Sequence, residues 1–144
     1  MASVREQVLS ALFAKLQTLG TSTVRVYRNQ DKPQKVENGM IIMRDGASEE
    51  PEVLLSPLTY IYQHLVHIEV LVQAPDTATR DSTLDALLGS IGGIINSNRS
   101  LGGLAEWVES NAPAFVEEPI EGAPTVKMAQ LSMMVRFVTN DPLN

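Results

Sequence analysis

The chain has 144 residues, 44% of them hydrophobic and 19% charged, which is enough for one domain with its own core. The absence of cysteine excludes disulfides, thiolate catalysis and cysteine zinc sites. The net charge of −6, with no aromatic residues interleaved among the basic ones, makes sequence-specific nucleic-acid binding unexpected. We find no apolar run of roughly 18 residues and no basic-then-apolar leader, so we expect neither a membrane span nor a signal peptide.

The charge is distributed unevenly along the chain. Residues 1–44 carry seven Lys and Arg against three Asp and Glu, a balance of +4, whereas residues 45–144 carry four against fourteen, a balance of −10. Such a division can make one surface complementary to a different surface of a second copy. The alternative is two solvated faces that bind nothing.

The N-terminal segment predicts a helix followed by a strand. Residues 3–19 carry an apolar stripe at helical spacing, and Ser3 with Glu6 forms a capping box. Residues 21–28 alternate between apolar and polar, which indicates a first strand. The polar residues 29–38 then form a loop that is longer than a tight hairpin needs.

Two shorter elements follow. Gly39–Arg44 predicts a second strand, and the pair Asp45-Gly46 is a strong turn signal that is expected to end it. Residues 47–57 contain two prolines and three glutamates around Val53-Leu54-Leu55. We expect an exposed connection there, with a brief edge strand.

The longest β-pattern of the chain is Leu58–Ala74. At about 3.3 Å per residue it would span roughly 50 Å, so it must bend, carry a bulge or project past its own domain. The even-numbered residues, apolar except for His64, are expected to face the core. His67 lies on the opposite face, so these two histidines cannot bind one metal together, and His64 is expected to be a hydrogen-bonded core or interface residue.

The C-terminal half predicts a second helix and further strands. Asp76 or Thr77 can cap a helix that runs to about Ile95, in which three glycines would allow a close approach to a sheet or another helix. The remaining elements are a break at 96–103, strand segments at 104–109 and 114–120, a turn at 122–124, a long strand at 125–139 and a loose tail from about residue 140.

The order of these elements indicates one α+β domain over residues 1–144. The absence of a regular βαβ alternation favours a mixed, mostly antiparallel sheet with two helices packed on one side, in the order α-β-β-β-α-β-β.

The sequence contains no recognisable catalytic motif. The segment Gly89-Ser90-Ile91-Gly92-Gly93 lacks the glycine that a nucleophile elbow needs, because position 88 is Leu88. It is also not a phosphate loop, since it lies inside a predicted helix and no GKS or GKT follows. We therefore expect no enzymatic activity and no catalytic, metal-binding or cofactor-binding residues.

Three segments resemble the tail terminator (minor tail protein U-like) proteins of long-tailed phages and related proteins of phage-derived particles. They are the opening REQVLSALFAKLQTL helix, the YIYQHLVHIEVLVQA strand with its following capped helix, and NRSLGGLAEWVE before the closing MAQLSMMVRFVTNDP strand. The resemblance covers nearly the whole chain.

The resemblance implies a mixed sheet flanked by two helices that assembles into a ring, expected to be a hexamer. In that family the ring caps the tail tube, stops its polymerisation and provides the surface for head attachment. The implied partners are other copies of the chain, the tail tube protein and the head–tail connector protein. The implied location is the host cytoplasm during assembly and then the virion tail.

The charge division suggests which residues join the copies. The expected basic contributors are Arg25, Arg28, Lys32 and Lys35, and the expected acidic ones are Glu49, Glu50 and Glu52. Two alternatives remain: a head-completion or head–tail connector protein, which would also be a ring without chemistry, and a small ligand-binding domain or enzyme, which would require a pocket with convergent polar groups.

Overall fold

The computed structural model describes residues 2–31, 39–118 and 125–144. Its elements in chain order are α1 Val4–Gln17, β1 Val24–Arg28, β2 Gly39–Ser48, β3 Glu52–Leu55, β4 Leu58–Gln73, α2 Thr77–Ser97, a short 3-10 helix Leu101–Gly103, β5 Trp107–Ser110, β6 Ala114–Glu118 and β7 Val126–Thr139. The predicted α+β class is confirmed, and the predicted order matches with additional strands before and after α2.

The predicted N-cap residues start both helices, but the Glu6 carboxylate expected in the capping box accepts hydrogen bonds from Ser10 and Arg28 instead. The Ser3 hydroxyl accepts a hydrogen bond from the Glu6 backbone N–H at 3.1 Å, and the Asp76 carboxylate accepts one from the Thr79 N–H at 3.1 Å. Each cap satisfies one of the backbone donors that the first turn of a helix leaves unpaired. The apolar stripe of each helix packs against the sheet.

The sheet is centred on β4 and β7, which pair antiparallel along nearly their whole lengths. The strand order is β1-β2-β4-β7-β5; β3 also pairs with β4, and β6 also pairs with β7. Since β7 occupies one side of β4, the strands β2 and β3 follow one another along the other side. By the same reasoning β5 and β6 follow one another along the outer side of β7. The pairing of β1 with β2 is parallel and makes the sheet mixed.

The main core lies between the two helices and one face of the sheet. It includes Leu12 and Leu16 of α1, Leu84 of α2, and the even-numbered side chains of β4 that were predicted to face inward, such as Val66 and Val70. The opposite face carries a smaller buried cluster. Its members are Met40, Ile42, Leu71, Val126 and Met128.

The turn predicted at Asp45-Gly46 is wrong. The strand β2 continues to Ser48, and its register against β4 shifts between Arg44 and Ala47, which marks a β-bulge. Gly46 has a φ of +67°, and a Cβ at this position would lie 1.8 Å from the Leu65 carbonyl oxygen. The left-handed glycine that favours a turn is here used to bend a strand without ending it.

The excess length of β4 forms a projecting hairpin. Its first residues, from Leu58 to Ile61, pair with β3, whose four residues are all exposed. The brief edge strand expected around Val53–Leu55 is therefore present, and a turn at Ser56-Pro57 connects it to β4.

The glycines of α2 do not serve the predicted close approach. A Cβ added at Gly89, Gly92 or Gly93 would meet nothing within 4 Å, so these residues lie on an open helix face. The predicted turn at 122–124 and the end of the strand predicted over 114–120 lie outside the described residues. The loose tail stays a prediction.

The tail makes some contacts with the domain. The Arg5 side chain donates a hydrogen bond to the Pro142 carbonyl, and the Thr139 hydroxyl donates to the carbonyls of Asp141 and Asn144. Across the described ranges, no helix has the length and apolar character needed to cross a membrane.

Candidate interaction surfaces

The structure places most of the residues predicted to join subunits along one side of the sheet. Arg25 is exposed on β1, Glu49 and Glu50 are exposed just after β2, and Glu52 is exposed on β3. Because β1, β2 and β3 all lie on the same side of β4, these basic and acidic residues share one edge of the sheet. Lys32 and Lys35 lie outside the described residues.

Arg28 is held within its own chain. Its guanidinium donates to both Glu6 carboxylate oxygens at 2.8 and 2.9 Å and to both Asp45 oxygens at 2.8 and 3.1 Å. The side chain is 19% exposed. Paired bidentate contacts are among the strongest hydrogen bonds of proteins, so Arg28 ties α1 to β1 and to the bulge of β2.

This ion triad shifts the acid–base behaviour of its members. Hydrogen bonds from Arg28, with a further one from Ser10, lower the pKa of Glu6 from 4.5 to about 2. The pKa of Asp45 is lowered mainly by Arg28 as well, and the pKa of Arg28 is raised by the two carboxylates. All three groups are therefore charged near neutral pH.

His64 is buried and hydrogen-bonded, as predicted. Its Nδ1 lies 2.7 Å from the Ser48 hydroxyl and its Nε2 bonds to the Asp45 carbonyl. Burial lowers the pKa of its imidazole, which keeps the ring neutral at physiological pH. His67 lies on the opposite face, as expected. No cluster of three potential metal ligands occurs within the described ranges.

Exposed apolar side chains concentrate at two places. Ten large apolar side chains are exposed in the described part of the chain. Four of them, Val53, Leu54, Leu55 and Leu58, form the tip of the β3–β4 hairpin, and four others, Leu104, Trp107, Phe115 and Val116, lie on or just before β5 and β6. Clustered exposed apolar residues usually mark binding surfaces.

These two clusters lie at opposite edges of the sheet, because β3 borders β4 while β5 and β6 border β7. We call them the hairpin patch (Val53, Leu54, Leu55, Leu58) and the far-edge patch (Leu104, Trp107, Phe115, Val116). The sequence signal for the hairpin patch was Val53-Leu54-Leu55 between two prolines. Nothing local indicates the far-edge patch, since its members share one edge of the sheet only through the pairing of β5 and β6 with β7.

A cleft of about 440 Å³ opens on the sheet face opposite the helices. In it the Arg44 Nε donates to Glu69 Oε1 at 2.8 Å, and the His67 Nδ1 lies 3.1 Å from the Ser132 hydroxyl. Asn111 closes one side and accepts a hydrogen bond from the Ser132 N–H. Glu69 Oε2 is buried without a partner among the described residues. The cleft is a set of convergent polar groups that the sequence did not indicate.

Comparison with known proteins identifies a structural relative. The chain matches no protein-family model and no curated protein. Its fold is similar to that of a chain in the virion of a native gene transfer agent particle, with a TM-score of 0.52 and 10% sequence identity. The likeness covers 96% of this chain and 100% of that one. The two chains therefore share a fold over their whole length.

Proposed function

We propose that this protein is a structural component of a phage-like virion, and that within the particle it is a ring-forming tail terminator. Its ring caps the tail tube, stops further polymerisation and provides the surface to which the head attaches. The observation that carries the proposal is the fold shared from end to end with a virion chain. Its proposed partners are other copies of itself, the tail tube protein and the head–tail connector protein.

The surface of the molecule supports a role in assembly. A ring subunit needs two different patches, one for each neighbour, and the hairpin and far-edge patches lie on opposite edges of the sheet. The role needs no catalysis and no cofactor. Assembly takes place in the host cytoplasm and ends in the virion tail.

Electron microscopy of particles made without this protein tests the proposal. A missing terminator leaves the tube free to grow, so we expect tails of excessive and variable length. Tails of normal length without heads would instead identify a head–tail connector, and normal complete particles would overturn both roles.

The cleft beside Arg44 supports a second candidate function, a small ligand-binding domain. Its volume lies in the range of small-molecule sites, and the buried Glu69 Oε2 could accept a hydrogen bond from a ligand. Thermal unfolding with a panel of metals, nucleotides and amino acids distinguishes the candidates. The structural role predicts an unchanged Tm. A concentration-dependent rise that Arg44→Gln abolishes would favour ligand binding.

A further inference from the structure

The two edges of the sheet correspond to each other row by row. One row of paired residues crosses the sheet near the C-terminal end of β4 and the N-terminal end of β7. It runs through Val26, Ile41, Val70, Ala129 and Phe115, each paired with the next. Residues paired across strands point to the same face of a sheet. β1 and β6 are therefore the two ends of the same row, with Val26 and Phe115 both on the helix-covered face.

The same correspondence holds at the other end of the sheet. Glu52 of β3 pairs with Ile61 of β4, and Trp107 of β5 pairs with Arg136, which pairs with Gln63 of β4. Glu52 and Trp107 therefore lie two residues apart in level. The hairpin patch pairs with Leu58 to Tyr60 and lies three to five residues beyond Gln63, at the end of the sheet where Leu104 precedes Trp107. Each edge therefore presents one outer strand at each of two levels, β1 and β6 at the first and β3 and β5 at the second; β3 adjoins β4 directly, whereas β2 lies between β1 and β4.

The strand directions at the two edges are opposite. β2 and β3 run antiparallel to β4, and β1 runs parallel to β2. β5 and β6 run antiparallel to β7, and so run in the direction of β4. A second copy placed beside the first in the same orientation would bring its β6 against β1 in an antiparallel arrangement, which is the favourable pairing of sheet edges.

The charges of the outer strands favour that arrangement over a symmetric dimer. On β1 the exposed basic side chain is Arg25, since Arg28 is held by Glu6 and Asp45 of its own chain, and on β6 Glu117 is exposed. A two-fold contact through one edge would place β1 against β1 or β6 against β6, with like charges side by side. Pairing the two different edges instead sets the strand that carries Arg25 beside the strand that carries Glu117.

We infer that copies of this chain join edge to edge, with β1 of one copy extending the sheet of the next through β6, and with the hairpin patch packed against Leu104 and Trp107 of that neighbour. This inference rests on the proposed ring and specifies its interface. The contact covers apolar side chains at both edges, of which Leu55 is 82% exposed. It also pairs the outer backbone groups of β1 and β6, whose described neighbours are β2 and β7 alone.

Disulfide cross-linking tests this interface directly, because the chain has no native cysteine. Val26 and Phe115 of one chain lie four strand spacings apart, about 19 Å, which a disulfide cannot bridge. Any bond between cysteines at these positions must therefore join two copies. Chains carrying Val24→Cys or Val26→Cys together with Phe115→Cys or Glu117→Cys sample the register on the helix-covered face.

After mild oxidation of the assembled protein, at least one of the four variants is expected to give a ladder of covalent oligomers that ends at the ring. The matched control pairs Phe115→Cys with Ala14→Cys, which is exposed on α1, and should remain uncross-linked. Assembled rings in which none of the four variants forms a ladder would overturn the interface and leave the proposed function intact. A ladder in a protein whose loss leaves tail length normal would support the interface and overturn the terminator role. A chain that stays monomeric, alone and with tail tube protein, would overturn both.

The apolar half of the contact is tested by substitution at the hairpin tip. Leu55→Asp should weaken association about tenfold or more, because a leucine that the proposed contact buries is replaced by a charge. Leu143→Asp is the control, since Leu143 is 86% exposed but lies in the C-terminal tail and belongs to neither patch. Equal association constants for the two variants, with both correctly folded, would show that the hairpin patch does not meet a neighbouring copy.

Discussion

At the scale of single residues, Arg28 determines how α1 is attached to the sheet. Its guanidinium lies between the carboxylates of Glu6 and Asp45, which would repel one another without it. The triad is charged and partly open to water, so its contribution to stability depends on pH and salt. The three residues are far apart in sequence, with 17 positions between Arg28 and Asp45 and 22 between Arg28 and Glu6, and the contact therefore reports on the folded state.

Replacing Glu6 with Gln tests the triad. The pKa of Glu6 is lowered from 4.5 to about 2, so its stabilising contribution is complete above pH 4.5 and is lost as the pH falls toward 2. Because this carboxylate is nearly half exposed, we expect Glu6→Gln to lower the free energy of unfolding by about 1 kcal/mol or less at pH 7. The difference from the native chain should disappear near pH 2.

Urea unfolding between pH 7 and pH 2 measures this effect. Glu50→Gln is the control, because Glu50 is exposed and has no partner among the described residues, and it should leave the free energy of unfolding unchanged. A deficit for Glu6→Gln that persists unchanged at pH 2 would contradict the assignment to an ion triad.

At the scale of elements, the bulge of β2 requires glycine at position 46. Gly46→Ala places a Cβ against the Leu65 carbonyl and forces a left-handed backbone on alanine, so we expect a loss of at least about 2 kcal/mol in unfolding free energy. Gly89→Ala is the matched control in an open helix position and should gain about 0.5–1 kcal/mol. Chemical denaturation compares the two, and a Gly46→Ala protein as stable as the native chain would mean that the bulge is not formed.

The same elements show what the sequence can and cannot predict. Both helices were predicted to within two residues at each end, because capping by Ser3 and Asp76 and the apolar stripes are local properties. Gly46 was assigned to a turn because the residue itself signals only a left-handed backbone. Whether that backbone ends a strand or bends it depends on Leu65 in the neighbouring strand.

The candidate interface was predictable to a similar degree. Strand alternation placed Arg25 correctly on the surface, and it placed His64 and His67 on opposite faces. It could not reveal that Arg28 is held by Glu6, since that contact depends on where α1 packs. The far-edge patch was also not predicted from the sequence, because strand order decides which residues lie at an edge of the sheet.

At the scale of the whole molecule, the proposed contact between β1 and β6 should depend on charge. Arg25 is the suitable residue for the test, because reversing Arg28 would break the triad within the chain. Arg25→Glu should weaken association severalfold at low salt and less at high salt. Reversing Glu117 to Lys in the same chain should restore it, since the two strands then carry opposite charges again.

Sedimentation equilibrium at two salt concentrations measures these association constants. Arg25→Gln serves as an intermediate case that removes the charge without reversing it. Association of Arg25→Glu at the native strength in low salt, or no recovery in the Arg25→Glu, Glu117→Lys double variant, would show that strand charge does not order the subunits.

The assembly state of the native chain tests the account most directly. We would measure its mass in solution by native mass spectrometry, alone and mixed with tail tube protein. The account predicts a closed oligomer of defined copy number, expected to be six, that forms in at least one of these conditions and caps the tube. A single 15.7 kDa chain in both conditions would contradict it.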